Sequence, residues 1–360
     1  MTIPATMKAM VLTGHGGLDK YQWHEDWVVP QPGRMEVLIK VGACGLNNTD
    51  VNTRTGWYSK AVDEATTGSA YAEVNEDDPT WGGAPLTFPR IQGADAVGTV
   101  VAAGEGADAG LIGKRVMVGG WIRDWDDPDN KDKAGYFGSE CDGGFAEYTK
   151  ADARAIAVVD SPLSDAELAT FSCSYVTAEG MLERAAVQAG DTVLVPGASG
   201  GVGGAVIQLA KLRGARVIAM ASESKHTEVA ELGPDLILPR APDNLRVALG
   251  DEKITVVADV VGGAQWGALL GVLERGGRYT CSGAIAGPMV QFDLRTFYLR
   301  DLTFTGSTVT PPQTFANVVS YISQGRLKPA LAATYPLQQL KEAQAAFIAK
   351  KHSGNIVVVP

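Results

Sequence analysis

Glycines at 200 and 203, with alanine at 198, follow an apolar run from Thr192 to Pro196 and lead into the helical pattern GGAVIQLAKLRG. Strand, glycine turn and helix in that order suit the pyrophosphate of a dinucleotide. Gly200 lets the backbone approach the phosphates, and Gly203 lets the helix pack closely on the strand. The helix start, through Ala198, Ser199, Gly200, Gly201, Val202 and Gly203, offers free N–H groups and partial positive charge. Nineteen residues past Gly203 stands Ser222, followed by Glu223, Ser224 and Lys225. A ribose with a free 2′-hydroxyl asks for Asp or Glu at that place, whereas a 2′-phosphate asks for a hydroxyl donor and a cation. Ser222 and Lys225 therefore favour NADP(H). Glu223, one place late, would serve NAD(H) if it turned inward. Gly262, after the apolar run ITVVADVV, and Ser282 with Gly283, after GRYTC, fall at the carboxyl ends of later strands, where ligands bind in open sheets.

These residues need a parallel sheet to hold them. From Ser164 onward the apolar strands TVLVPG, ARVIAMAS, DLILP, ITVVADVVGG, GRYTCSG and LTFTGS alternate with helical segments, the pattern of a doubly wound domain. The first third reads differently, as short β-rich runs (KAMVLT, EVLIKVGACG, AVGTVVAAG, KRVMVGG) broken by Gly and Pro. An irregular stretch from about Ser59 to Arg90, with Tyr71, Trp81 and Phe88, is expected to shape a pocket; long loops in compact domains tend to be substrate walls. After Thr310 come the helices PQTFANVVSYISQG and QQLKEAQAAFIAKK and a last strand, NIVVVP. The β-rich part needs that strand, so the chain is expected to leave its first domain, build a second, and return: 1–170 with 311–360, and 171–310 between them.

Length of 360 residues fits two domains, and composition is that of a globular protein, with 45% hydrophobic and 20% charged residues. A net charge of −10 argues against nucleic acid, whose phosphates need a basic face. The start lacks the order of a signal peptide, and no long uncharged apolar run predicts a membrane span. Cys44, Cys141, Cys173 and Cys281 are scattered, with no disulfide or zinc-finger spacing, so a cytoplasmic setting is expected.

Taken together, KVGACGLNNTD, GADAVGTVVAAGEG, DGGFAEY, CSYVTAEG, PGASGGVG and ADVVGG make the chain resemble the medium-chain dehydrogenase/reductase superfamily, in its zinc-free, quinone-oxidoreductase-like branch. The resemblance covers nearly all of the chain. It implies an α/β fold, with a GroES-like β-rich catalytic domain and a Rossmann domain with a doubly wound parallel sheet. Zinc-dependent relatives carry Cys and His where this chain has Asn47 and Asn52, and His-Glu where it has Ala94 and Asp95. Only Cys173 stands at a ligand-like place, and it reads there as a small buried hydrophobe. A catalytic zinc wants three protein ligands, and His15, His24, His226 and His352 form no group. No metal is expected.

Without a Lewis acid, conjugated acceptors are favoured over plain ketones, because they spread the arriving charge over an enolate that hydrogen bonds can stabilise. The resemblance implies Asn47 near the nicotinamide, where its amide would polarise a carbonyl, and Tyr58 at the pocket mouth as hydrogen-bond or proton donor. Asp50 would orient one of them or cap a helix beginning at Val51. Thr177 would pack on the nicotinamide ring, and Ser282 and Gly283 would flank its ribose. Trp57 would line an apolar pocket or belong to the core, and Asp95 would line the substrate pocket or simply satisfy backbone groups. Asn355 takes a family position often held by Lys or Arg. The expected activity is NADPH-dependent reduction of a quinone or α,β-unsaturated carbonyl. The competing readings are a zinc-free alcohol dehydrogenase or carbonyl reductase, and a non-catalytic dinucleotide-binding protein. LTFTGSTVT would form a sheet edge, and an unpaired edge seeks a partner, so a homodimer is expected.

Overall fold

The computed structural model describes residues 2–67 and 85–360. Tyr71 and Trp81 lie outside the described residues. Phe88 sets its ring edge-on to His15, with centroids 4.9 Å apart. The chain divides into two compact units: Met1–Val62, Thr67–Cys173 and Pro311–Pro360 form the first, and Asp63–Thr66 with Ser174–Thr310 the second. The first cut falls within the helix Ser172–Arg184.

In the first unit the apolar run EVLIKVGACG makes the strand Glu36–Gly45, nearly all of it buried. It pairs antiparallel with Asp95–Ala103 along its length, with Tyr148–Asp152 over its first half, and with Asn355–Val359 at its end, where Val357 faces Gly45. The last strand of the sequence thus completes the sheet begun by the first third. A smaller sheet joins Tyr21–Val28, Thr6–Leu12 and Arg90–Ile91. Between the layers lie Met10, Leu12, Leu38, Ile39, Phe145 and Phe347. Burying a side chain of this size is worth roughly 1.5–3 kcal/mol.

The second unit holds a parallel sheet in the order Leu236–Pro239, Arg216–Ala221, Thr192–Val195, Ile254–Asp259, Leu273–Cys281, Thr303–Gly306. The direction of winding reverses at Thr192–Val195, so the carboxyl end of that strand opens at the switch point where ligands bind in such sheets. Its core is Leu194, Ile218, Val257, Leu269 and Tyr279. Among the described residues, no helix is long and apolar enough to cross a membrane.

Candidate active site

The glycine turn sits at that switch point. Gly197, with φ of +66°, makes the sharp bend after the strand, one place earlier than the fingerprint position Ala198. Its left-handed backbone is what glycine adopts without cost. The helix runs Gly201–Leu212 with Gly200 as its N-cap. A Cβ on Gly203 would lie 2.3 Å from the Gly197 oxygen and 2.9 Å from Ala198 Cα, so this position admits no side chain. A Cβ on Gly200 would meet only the Gly197 oxygen, at 3.5 Å; the space beside it is open. Ala198 is buried, while Ser199 through Val202 form the accessible rim of the turn. Such a cradle, closed beneath and open above, fits a pyrophosphate.

Ser222 follows the strand Arg216–Ala221, whose last residue pairs with Pro239. The next residue on each strand is Ser222 on one and Arg240 on the other. Arg240 is exposed, and its charge, after partial burial, helps hold the Lys225 ammonium below its ordinary pKa, with Glu228 opposing. Glu223 is exposed. Two cations and a hydroxyl therefore gather at the end of this strand. Arg240 was missed in the sequence because its place depends on which strands lie side by side.

Gly262 has φ of +61° and donates its N–H to Asp259, whose carboxylate also accepts from Val261 N at 2.7 Å and the Tyr279 hydroxyl at 2.7 Å. Burial pushes the Asp259 carboxyl up against those bonds. The hydroxyl of Ser282 donates to Ser307 O at 2.6 Å, and Gly283 packs under Val260. Thr177 is half-buried on its helix, between the buried Val176 and Ala178.

In the first unit the helix after Gly45 begins at Asn48, not Val51, and runs to Thr55. Asp50 is consequently inside its first turn rather than at its cap. Its carboxylate reaches back to accept the Asn47 N–H at 2.7 Å, as the third residue of a capping box does. Asn47 Nδ2 donates to Asp95 Oδ2 at 3.0 Å, and Asp95 Oδ1 accepts from Cys173 N at 2.7 Å. The Tyr136 hydroxyl is hydrogen-bonded to the Cys173 thiol, and the Trp121 ring packs edge-on to Tyr136 with centroids 4.8 Å apart. Burial pushes Asp95 up to about 7 against its bonds from Asn47 and Cys173, and pushes Asp50 up to about 7 against its bond from Asn47 N, with the Asp95 charge adding to the rise. Tyr58, half-buried, is hydrogen-bonded to Asn52 and Thr49; burial still lifts its hydroxyl to about 12, so it stays protonated at neutral pH. Trp57 sets its ring edge-on to Tyr58, with centroids 5.7 Å apart.

Beneath this cluster runs a polar chain that sequence reading did not reveal. Arg54 is fully buried; its Nε donates to Gln344 Oε1 at 2.8 Å. Gln344 Nε2 donates to the Tyr21 hydroxyl at 2.9 Å, Tyr21 donates to Gln92 Oε1, and Gln92 Nε2 donates to Asp50 O at 3.2 Å. Asn355 is likewise buried, its amide spent on Thr170 O at 3.0 Å. A cavity of about 470 Å³ in the same unit is lined by Trp27, Trp121, Trp125, Phe137 and Tyr148. None of Asn47, Asp50, Tyr58 and Asp95 lines it.

The donor set does not fit a catalytic zinc. Asn47 and Asn52 offer carboxamides, Ala94 offers nothing, and both Asp95 oxygens already accept hydrogen bonds. Among the described residues, no three His, Cys, Asp or Glu side chains group to hold a metal.

Residues 33–161 match the alcohol dehydrogenase GroES-like domain family, and residues 201–324 match the family described as zinc-binding dehydrogenase. The chain is 26% identical to the quinone oxidoreductase of Homo sapiens over 95% of its own length and 94% of the relative's. It is 28% identical to the chloroplastic NADPH-dependent alkenal/one oxidoreductase of Arabidopsis thaliana, over 100% of its length and 81% of the relative's. The crystal structure of a candidate alcohol dehydrogenase from Sinorhizobium meliloti 1021 shares 46% identity and superposes with a TM-score of 0.91, covering 99% of this chain and 98% of that one.

Proposed function

The chain belongs to the medium-chain dehydrogenase/reductase superfamily and is an NAD(P)H-dependent oxidoreductase, and on that premise we propose that it reduces a quinone or an α,β-unsaturated carbonyl with NADPH and without zinc. The observation that carries this reading is the Asp95 carboxylate, bonded to Asn47 Nδ2 and Cys173 N, at the place that the resemblance matches to the His-Glu pair of zinc-dependent relatives. Hydrogen-bond donors then replace the Lewis acid, which favours substrates whose charge is delocalised.

Ser199 to Val202 and the start of the helix Gly201–Leu212 receive the pyrophosphate, and Ser222, Lys225 and Arg240 receive a 2′-phosphate. Gly262, Ser282 and Gly283 form the strand-end rim for the nicotinamide half, with Thr177 beside the ring. When bound, NADPH supplies the hydride that adds at the substrate's electrophilic carbon. Asn47 has one Nδ2 hydrogen committed to Asp95; the other donates to the substrate oxygen, where negative charge collects. Tyr58, kept protonated by burial, delivers the proton that completes the reduction and recovers one from solvent. Trp57 walls the substrate side.

The relatives named for quinone and alkenal/one reduction, one of them NADPH-dependent, support this reading. The 46% identical neighbour named as a candidate alcohol dehydrogenase favours the rival, a plain alcohol or carbonyl substrate. Fluorescence titration of the EDTA-treated protein with NADPH and NADH, followed by cyclohexenone, 9,10-phenanthrenequinone and a simple ketone, decides between them. Tighter NADPH binding and metal-independent turnover of the enone or quinone are expected. Tighter NADH binding would assign the ribose to Glu223, and preferred turnover of the plain ketone would establish the rival.

We also propose that two copies associate through the edge strand Thr303–Gly306. Met289, Leu294, Tyr298 and Leu299 are each more than half exposed just before it, and Phe292 and Phe297 pack on Phe304 of the strand itself. An apolar patch beside an open sheet edge is an interaction surface. A monomer in sedimentation at micromolar concentration would rule this out.

A further inference from the structure

We propose that Asp95 is a positioning residue that sets the orientation of the Asn47 amide, so that an N–H and not the carbonyl oxygen is presented to the substrate. The inference rests on the reading of Asn47 given above. Asp95 is 1% exposed and begins the strand Asp95–Ala103, 48 residues from Asn47 in sequence. Its two oxygens have separate duties. Oδ1 accepts from Cys173 N, a first-turn amide of the helix Ser172–Arg184. Oδ2 accepts from Asn47 Nδ2. A carboxylate can only accept, so the Asn47 nitrogen must face it. The Asn47 side chain also accepts the Asp50 N–H in the capping box of its helix, and the two contacts agree on one orientation of the amide.

Gly45 faces Asp95 across the paired strands, and a Cβ there would lie 3.1 Å from Asp95 Oδ2 and 2.2 Å from Ala169 O. The Ala169 carbonyl is what excludes a side chain there, and the Asp95 carboxylate packs against the same bare backbone. The other titratable groups within electrostatic reach are Asp50, Cys44, Cys173 and Tyr136. None of them accepts from Asn47 Nδ2.

Substitution Asp95→Asn keeps size and removes the constraint. Its oxygen would serve Cys173 N, and its NH₂ would then point at the Asn47 NH₂, which must rotate by half a turn. The test is a double-mutant cycle in kcat/KM for cyclohexenone with NADPH, with the NADPH Kd measured alongside. Asp95→Asn is expected to lower kcat by about 100-fold, the loss of one well-placed donor, with NADPH binding unchanged. In an Asn47→Ala background the same change should cost no more than about twofold. An equal cost in both backgrounds would make Asp95 a structural residue and overturn the proposal. If Asp95→Asn does not fold, wild type and Asn47→Ala suffice. Wild type should lose kcat/KM as pH falls through neutrality and the Asp95 carboxyl becomes a donor. Asn47→Ala should lack that acid limb, and an unchanged limb overturns the proposal. Full activity in Asn47→Ala would remove the Asn47 reading itself, whereas an impaired Asn47→Ala beside an intact Asp95→Asn would remove only the role of Asp95.

Discussion

Gly200 and Gly203 lie three residues apart on one turn, yet the structure assigns them opposite sensitivities to a single methyl group. At Gly203 the new carbon would stand 2.3 Å from a backbone oxygen and 2.9 Å from two backbone carbons, about 1 Å inside ordinary contact, with no flexible side chain to yield. Overpacking of this kind costs roughly 1–3 kcal/mol, and rigid backbone on every side puts Gly203→Ala at the upper end. For a unit of this size that corresponds to a fall in Tm of about 5–10 °C. At Gly200 the backbone is at φ −83°, which alanine adopts freely, and the nearest atom is 3.5 Å away. Gly200→Ala puts a poorer N-cap at the helix start, a loss of about 0.5–1 kcal/mol, and should melt about 1–4 °C below wild type, a smaller fall than in Gly203→Ala. Its methyl occupies the approach of the pyrophosphate and should displace one N–H bond to a charged oxygen. At roughly 1.5–3 kcal/mol for such a bond, the Kd for NADPH rises about 10- to 100-fold. Thermal melts of the free proteins and fluorescence titrations with NADPH read the two effects separately. Wild-type stability in Gly203→Ala, or wild-type affinity in Gly200→Ala, would refute the assignment of the turn as a phosphate cradle.

Arg240→Ala should raise the NADPH Kd about tenfold or more and leave NADH unchanged, as expected for a charge-assisted contact to a 2′-phosphate; equal effects on both nucleotides would place Arg240 outside that subsite. Tyr58→Phe should lower kcat by about 100-fold or more with little change in KM, because a positioned proton donor acts in the transition state. A KM effect alone would make it a binding group. The folded Asp50 carboxyl, raised to about 7, binds its proton more tightly than the unfolded one, so its contribution to stability is complete below about pH 4 and is lost as pH rises through 7. Asp50→Asn keeps an acceptor for Asn47 N but has no proton to lose. Its Tm relative to wild type should rise between pH 5 and 8, and a falling difference would contradict the sign.

The dinucleotide turn was legible in the sequence because every part of it is local: an apolar strand, glycines at short spacing and a helix lie within twenty residues. The parallel, doubly wound sheet was legible in the alternation of its strands with helical segments, but the side-by-side order of those strands was not. The start of the helix at Asn48 was harder to see, since NTDVNTRT carries one apolar residue and shows no amphipathic period. Its burial is made possible by Gln92, Gln344 and Tyr21, which come from distant segments. The pairing of Asn47 with Asp95, and of Tyr136 with Cys173, joins residues dozens of positions apart and depends on sheet register. Arg240 became visible only when Leu236–Pro239 was seen beside Arg216–Ala221. Residue type alone marks none of these pairs.

The strand Asn355–Val359, laid against Gly45 and Cys44 and against Leu331–Pro336, sets an order for synthesis. Residues 174–310 emerge from the ribosome as an unbroken stretch and can close their sheet at once. The first unit must meanwhile wait, with one edge of the end of Glu36–Gly45 unpaired and Arg54 without Gln344. Domains generally fold as they emerge, and an unpaired edge is exposed to other chains during the delay. An aggregation-prone interval therefore falls while residues 311–360 are being made, after residues 174–310 can close their sheet and before the first unit can complete its own.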